Sequence, residues 1–161
     1  MTVAEYNTCA RTHSDNVFRF LLKNTKDVAW ASDLVQDAFE KLWRARTEIA
    51  FEKAKSWLFT TAYRMMIDQM RRKQKQGQWT DDFEEKAGET TQYSGLSEIL
   101  NEALERLPSV QKQVILLRDY EGYDYKEIGE ITSLSESQVK VYIFRARKTL
   151  KTYIGSLDQV I

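Results

Sequence analysis

Apolar positions recur at helical spacing along two stretches of this chain, separated by a stretch with no period. From about Val3 to Lys23 the residues Val3, Tyr6, Ala10, Val17, Phe20 and Leu21 fall mostly on one side of a helix. Asp27 to Arg46 carries the strongest amphipathic pattern of the front half. There Leu34, Val35, Ala38, Phe39, Leu42 and Trp43 recur at i, i+1, i+4, i+5, i+8 and i+9, a wide stripe suited to a helical core. Asp33, Gln36, Asp37, Glu40, Lys41 and Arg44 occupy the opposite face, which on periodicity alone reads as solvated. Arg46 to Lys55 breaks the pattern and reads as a loop or short turn. A long helix is predicted from about Ser56 to Gln74, with Trp57, Leu58, Thr61, Ala62, Met65 and Met70 inward and Tyr63 and Arg64 outward. It ends in the basic cluster Arg71, Arg72, Lys73 and Lys75, which complements a helix C-terminus and also suits a nucleic-acid surface. Gly77 to Gly95 has no helical period and reads as a flexible linker in which Trp79, Phe83 and Tyr93 stand out.

Helical spacing resumes with Leu96, Ile99, Leu100, Ala103, Leu104 and Leu107, and Pro108 punctuates it. Ser109 to Tyr120 is the next predicted helix, and Glu121-Gly122 turns the chain into a helix pair from Asp124 to Lys151. Asp124 with Glu127, and Ser135 with Gln138, have the spacing of capping boxes. The second helix of the pair places Val139, Ile143, Ala146 and Leu150 on one narrow apolar stripe. Its other side holds Ser137, Val141, Phe144, Arg145 and Lys148, with Gln138 and Lys140 on the flanks. Cations, a hydroxyl and apolar groups together suit a helix in a DNA major groove, where they meet phosphates, guanine edges and thymine methyls. A solvated basic helix at a chain end is the other reading of the same pattern. The tail after Gly155 is expected to fray.

With 161 residues, few Gly and one Pro, the fold class is all-α: two small helical domains joined by a flexible acidic linker, the second a four-helix domain with a helix-turn-helix. The boundaries fall at 1–76, 77–95 and 96–161. Formal net charge is zero, which is unusual for a protein that binds DNA unaided. The balance is uneven along the chain. Met1 to Gln76 has 14 Lys/Arg against 9 Asp/Glu, Gly77 to Glu98 has 1 against 6, and Ile99 to Ile161 has 9 against 9. The linker acids Asp81, Asp82, Glu84, Glu85 and Glu89 therefore separate two ends that carry the cations, and they could fold back onto them as a weak mask. No apolar run approaches a membrane span, and the first residues lack the layout of a signal peptide, so a cytoplasmic protein without membrane insertion is expected. A single His13 and a single Cys9 leave no ligand set for a metal and no nucleophile-base pair. No phosphate loop or catalytic motif is present. Neither a cofactor nor enzymatic activity is expected.

Taken together, the segments resemble a known family. DLVQDAFEKLW at Asp33 to Trp43 and WLFTTAYRMMIDQMRRK at Trp57 to Lys73 are similar to the first domain of the ECF sigma factors, alternative sigma subunits of bacterial RNA polymerase. ALERLPSVQKQVILLRDYEGYDYKEIGEI followed by LSESQVKVYIFRARKTL resembles their second domain. The resemblance implies that Asp33, Gln36, Asp37 and Phe39 dock on the coiled coil of the polymerase largest subunit, in place of the solvated-face reading. It implies that Lys55, Trp57, Tyr63, Arg64, Asp68, Arg71 and Arg72 melt and read the -10 element, where aromatics stack on splayed bases. It assigns the -35 element to Ser137, Gln138, Lys140, Val141, Phe144, Arg145 and Lys148. Core RNA polymerase (its largest-subunit coiled coil and flap region), promoter DNA and an anti-sigma factor become the expected partners. Three positions depart from the family: Ser133 stands where the turn glycine is usual, Gly129 where Ala is usual, and Met65 where Asn is common. Ser133 then implies strain if the turn needs a positive φ, and Gly129 a small loss of helix propensity. The rival reading is an autonomous helix-turn-helix regulator that binds DNA without polymerase, which leaves the helix at Asp27 to Arg46 idle.

Overall fold

A computed structural model describes residues 1–77 and 95–158, with side chains placed for 1–77 and 98–155. The linker expected over Gly77 to Gly95, with its acids and its three aromatic residues, lies outside the described residues except for its end glycines. The described residues form seven α-helices and no strand, and they group into two compact units.

Helices α1 (Val3–Thr25), α2 (Val28–Ala45) and α3 (Ala54–Lys75) build the first unit. Thr2 opens α1 with a capping box, its hydroxyl accepting from Glu5 N at 3.1 Å while its own N–H donates to the Glu5 carboxylate at 2.8 Å. Lys26 closes α1 in the left-handed region, at φ 55°. Asp27 then caps α2 by accepting from Trp30 N at 3.0 Å. The three helices bury Val17, Phe20 and Leu21 of α1 against Leu34, Ala38 and Leu42 of α2 and Leu58, Phe59, Ala62 and Met66 of α3. Phe20 and Phe59 meet edge to face, their centroids 5.6 Å apart.

Three expectations change here. The inner face of α3 is Ala54, Leu58, Phe59, Ala62, Met66 and Met70, so Phe59 and Met66 take places expected for Trp57 and Met65, which are only half-buried. Packing against both α1 and α2 asks α3 for a broad buried arc rather than a stripe. Trp43 leaves the core stripe and is 38% exposed, with Tyr6 edge-on at 5.0 Å and the Arg46 guanidinium stacked 3.7 Å from its ring centre. The segment Arg46 to Lys55 is more ordered than a loop. It holds two 3-10 turns, Arg46–Glu48 and Phe51–Lys53, and α3 begins before it ends. His13 sits at the boundary as expected, and burial followed by the charge of Lys55 lowers its pKa.

The second unit comprises α4 (Gly95–Glu105), α5 (Ser109–Ile115), α6 (Tyr125–Thr132) as far as Gly129, and α7 (Glu136–Asp158). Pro108 precedes the first turn of α5 and needs no donor there. The single helix expected to Tyr120 instead widens into a π turn over Leu116–Tyr120, where Glu121 N donates to Leu116 O at 3.2 Å. Gly122, at φ 76°, ends it. Helix α7 extends past Lys151 and continues through Gly155 to Asp158, where fraying was expected. Val114, Ile115 and Leu117 of the α5 segment, Ile128 of α6, and Val139, Ile143 and Ala146 of α7 close the core. Lys112 is buried among them and is paired with Glu105 at 2.5 Å, which ties α5 to the end of α4.

Candidate nucleic-acid interface

The helix pair is set by two local devices and one long-range set. Asp124 accepts from Glu127 N at 2.8 Å while Asp124 N donates to the Glu127 carboxylate at 3.2 Å. The hydrogen bond from Glu127 N, foremost, holds the Asp124 carboxyl below its usual pKa. Ser135 and Gln138 form the second box, at 2.9 and 3.1 Å, so both anticipated caps are present. Between them Ser133 lies at φ 62°, ψ 34°, the left-handed conformation that the turn requires. Gly129 approaches this turn so closely that a Cβ there would stand 2.7 Å from the backbone oxygen of Leu134. The lack of a Cβ at Gly129 thus relieves a close backbone approach, and this stands beside the small loss of helix propensity expected there.

The long-range set escaped the sequence. Arg147 of α7 donates to Asp119 in the π turn at 2.7 Å, and this bond leads the causes that raise its pKa. Arg118 donates to Tyr123 O at 2.9 Å and lies 4.8 Å over the Tyr125 ring. The π turn therefore braces the start of α6 and the middle of α7. Asp119 and Arg147 are 28 residues apart, so no spacing rule connects them.

With Val139, Ile143 and Ala146 turned to the core, α7 presents the seven residues assigned to the -35 element together, and all of them are exposed. Phe144 is 68% and Val141 44% exposed, which is uncommon for large apolar side chains on a face rich in cations. Lys140 pairs with Glu136 at 3.8 Å. Among the described residues Arg145, Lys148 and Lys151 have no ion-pair partner.

In the first unit Asp33, Gln36 and Asp37 lie exposed on one face of α2 and make no hydrogen bond or ion pair among the described residues. Glu40 on the same helix is already paired with Arg44 at 2.6 Å. Phe39 is buried, at 9% exposure, and packs near Tyr6; its side chain belongs to the core, and it can serve this face by holding the helix in place. On α3, Trp57, Arg64, Asp68 and Arg71 share the outer face at i, i+7, i+11 and i+14. Arg72 is tied to Asp68 at 2.9 Å. Tyr63 sits on the flank, with its pKa raised chiefly by burial and eased by Arg71. Lys55 lies at the start of α3 close to His13, apart from that outer face. Lys73 is drawn to the α2 side, 3.6 Å over the Trp30 ring, while Trp30 donates to Gln69 at 2.6 Å.

Comparison with known proteins matches each half of the chain to a model of one family: residues 9–76 to Sigma-70 region 2, and residues 97–150 to Sigma-70, region 4. The chain is 31% identical to the ECF RNA polymerase sigma factor SigM of Bacillus subtilis (strain 168), with 86% of this chain and 88% of that one covered. The protein belongs to the sigma-70 family, in its ECF group. RNA polymerase sigma factor SigV of the same organism is 30% identical over 94% of this chain and 92% of its own. A solved structure of the sigma factor RpoE from Bartonella quintana, in complex with the anti-sigma factor NepR, is similar with a TM-score of 0.81. It covers 95% of this chain and 98% of that chain at 25% identity. As an ECF sigma factor, the protein is an alternative sigma subunit that directs RNA polymerase in transcription initiation and binds core polymerase and promoter DNA. The autonomous-regulator reading is not favoured, because the region 2 match extends over the first unit, which that reading leaves idle. No described helix is long and apolar enough to cross a membrane, and no group of three or more His, Cys, Asp or Glu among the described residues is placed to hold a metal.

Proposed function

We propose that this sigma factor divides the promoter between its two units: residues 1–76 dock on polymerase and open the -10 element, residues 96–161 read the -35 element, and 77–95 connect them. The observation that carries the reading is the outer face of α7, where Phe144 and Val141 stand exposed beside Arg145 and Lys148 on a helix whose other face is buried. Apolar groups left in water next to uncommitted cations fit thymine methyls and base edges bordered by phosphates. The docking surface is the exposed trio Asp33, Gln36 and Asp37 on α2, and Phe39 holds that helix from within. The -10 surface is the outer face of α3, where Trp57 and Arg64 offer a stacking ring and a cation. Arg71 adds a second charge, Tyr63 supports it from the flank, and Asp68 orients Arg72. Lys55 sits at the entrance to α3, beside the turns that precede it. An anti-sigma factor of the kind bound to the Bartonella quintana relative is the further partner, and the cytoplasm is the place of action.

Two measurements test this division. Asp37→Arg is expected to leave helicity and melting temperature nearly unchanged, since exposed changes cost under about 0.5 kcal/mol, while weakening core polymerase binding about tenfold or more. Wild-type affinity in that variant would remove α2 as the docking helix. In polymerase reconstituted with the protein, Arg145→Ala is expected to lose about 1–3 kcal/mol and relax specificity at one -35 position. Lys140→Ala is expected to weaken all sequences alike. Unchanged -35 dependence in both variants would take the reading off this face.

A further inference from the structure

Helix α3 carries apolar side chains around most of its circumference, Trp57, Leu58, Phe59, Met65, Met66 and Ile67 among them. Apolar packing is non-directional, so such a helix can roll about its axis at little cost. A roll of about 20° moves a side-chain tip roughly 6 Å from the axis by about 2 Å. That displacement takes Trp57 and Arg64 off a base or a phosphate. A directional contact is therefore needed to set the roll, and Trp30 supplies one between α2 and α3.

Trp30 stands in the first turn of α2, where its backbone N–H donates to the Asp27 carboxylate at 3.0 Å. Its indole N–H donates to Gln69 Oε1 at 2.6 Å, and the Lys73 ammonium lies over the ring, 3.6 Å from its centre. Gln69 and Lys73 are four residues apart and so share one face of α3. The ring is buried, which strengthens the hold of its face on a cation. Lys73 follows the buried Met66 by seven residues, which places it within about 20° of the core side. It is half-buried, whereas Arg71, two residues earlier, is exposed on the other side. The basic cluster at the end of α3 is thus divided. Arg71 belongs to the outer row, Arg72 is tied to Asp68 at 2.9 Å, and Lys73 is turned inward to α2. On α2, Trp30 and Asp37 are also seven residues apart, so the contact sits on the same flank as the docking residue Asp37.

We propose that Trp30 is a positioning residue for promoter opening: its indole N–H and ring fasten Gln69 and Lys73 to the first turn of α2, and this sets the roll of α3 that turns Trp57, Arg64 and Arg71 to the DNA. The proposal rests on the assignment of α2 to docking and of the outer face of α3 to the -10 element, and it adds the contact that orients one to the other. Trp30 and Lys73 act through α3 and touch neither DNA nor polymerase. A polar contact suits the task, because an N–H on an amide oxygen and a cation over a ring each hold one geometry. Lys73→Met extends the Met66–Met70 stripe and fills the same space without that direction.

The test uses the full chain reconstituted with core polymerase and a promoter carrying a fluorescent base analogue in the -10 element, at a temperature where circular dichroism shows each variant folded. Trp30→Leu is expected to leave core polymerase affinity within about twofold of wild type and to lower -10 opening about tenfold. Trp30→Phe, which keeps the ring and loses the N–H, should fall between the two. Lys73→Met should keep or raise the melting temperature and still lower opening, a split that a merely structural role does not produce. The double variant Trp30→Leu/Lys73→Met should open no less than Trp30→Leu alone, since both changes break one contact. Between about 50 and about 200 mM salt, Lys73→Met should leave the log-log slope of promoter binding unchanged, whereas Arg71→Ala should reduce it by about 0.7 to 0.9. A fall in slope for Lys73→Met would make Lys73 a phosphate contact and overturn the proposal. Wild-type opening in Trp30→Leu and Lys73→Met would overturn it too, as would losses of core affinity and opening in equal proportion. If Trp57→Ala and Arg64→Ala also open the -10 element as wild type does, the underlying assignment of α3 has failed instead.

Discussion

Met66→Ala is expected to destabilise the first unit by about 2–5 kcal/mol, whereas Met65→Ala, one position earlier, should cost less than half as much. Met66 is fully buried between α3 and its neighbours, so truncation removes its transfer energy and leaves a cavity that close packing cannot collapse. Met65 is only half-buried and its removal opens the helix surface to water instead of leaving a void. Trp30, Trp43 and Trp57 lie in the first unit and no tryptophan lies in the second, so in a Trp79→Phe background tryptophan fluorescence follows the first unit in a urea titration. The shift in midpoint at constant slope gives the difference. Equal losses at the two positions would mean that α3 is rotated from the face described above.

That pair of residues also marks where the sequence became ambiguous. Trp57, Leu58, Phe59, Ala62, Met65, Met66, Ile67 and Met70 put apolar groups on nearly every side of α3, so periodicity alone cannot choose the buried arc. On α2 the polar residues are confined to one side, and the buried set Leu34, Ala38, Phe39 and Leu42 is the one its spacing predicts. Trp43 escaped that stripe because it lies in the last turn, where Tyr6 and Arg46 cover it without enclosing it.

Legibility in the second unit follows the range of the interaction. The capping boxes at Asp124 and Ser135 could be read directly, since each closes within three residues. The exposed face of α7 could be read as well, because helix geometry alone sets it opposite Val139 and Ile143. The Asp119–Arg147 brace, the π turn beneath it and the stack of Arg106 on Tyr153 depend on how the helices meet, and no local pattern encodes that. The family resemblance supplied an expectation that periodicity could not for α2, a docking surface in place of a face that reads as solvated. The exposure of Asp33, Gln36 and Asp37 without partners among the described residues is compatible with both readings, so the Asp37→Arg measurement must separate them.

Gly129→Ala is expected to destabilise the second unit by about 1–3 kcal/mol, although Ala exceeds Gly in helix propensity by about 1 kcal/mol. The reason is steric. The added Cβ would lie 2.7 Å from Leu134 O, a backbone atom that cannot swing aside as a side-chain tip could. Leu134 is itself held, its N–H donating to Gly129 O at 3.1 Å, so relief requires the whole turn to move. Ser133 controls that movement. An L-residue at φ 62° carries about 1–2 kcal/mol of strain, and Ser133→Gly should recover part of it, offset by the greater freedom glycine gives the unfolded chain. Glycine at 133 also reaches conformations closed to serine, which lets Leu134 O retreat. The loss from Gly129→Ala should therefore shrink in the Ser133→Gly background, with a coupling of about 0.5–3 kcal/mol in a double-mutant cycle. The double variant carries the Ala and Gly that the ECF family usually has at these positions, so Gly129 and Ser133 form one alternative solution to the same turn. Because this turn sets the entry of α7, Gly129→Ala should also weaken -35-dependent binding in the reconstituted polymerase at a temperature where the variant is still folded. Ser133→Gly should restore both properties together. A stabilising effect of Gly129→Ala alone, or strict additivity of the two changes, would show that the close approach to Leu134 does not govern the turn.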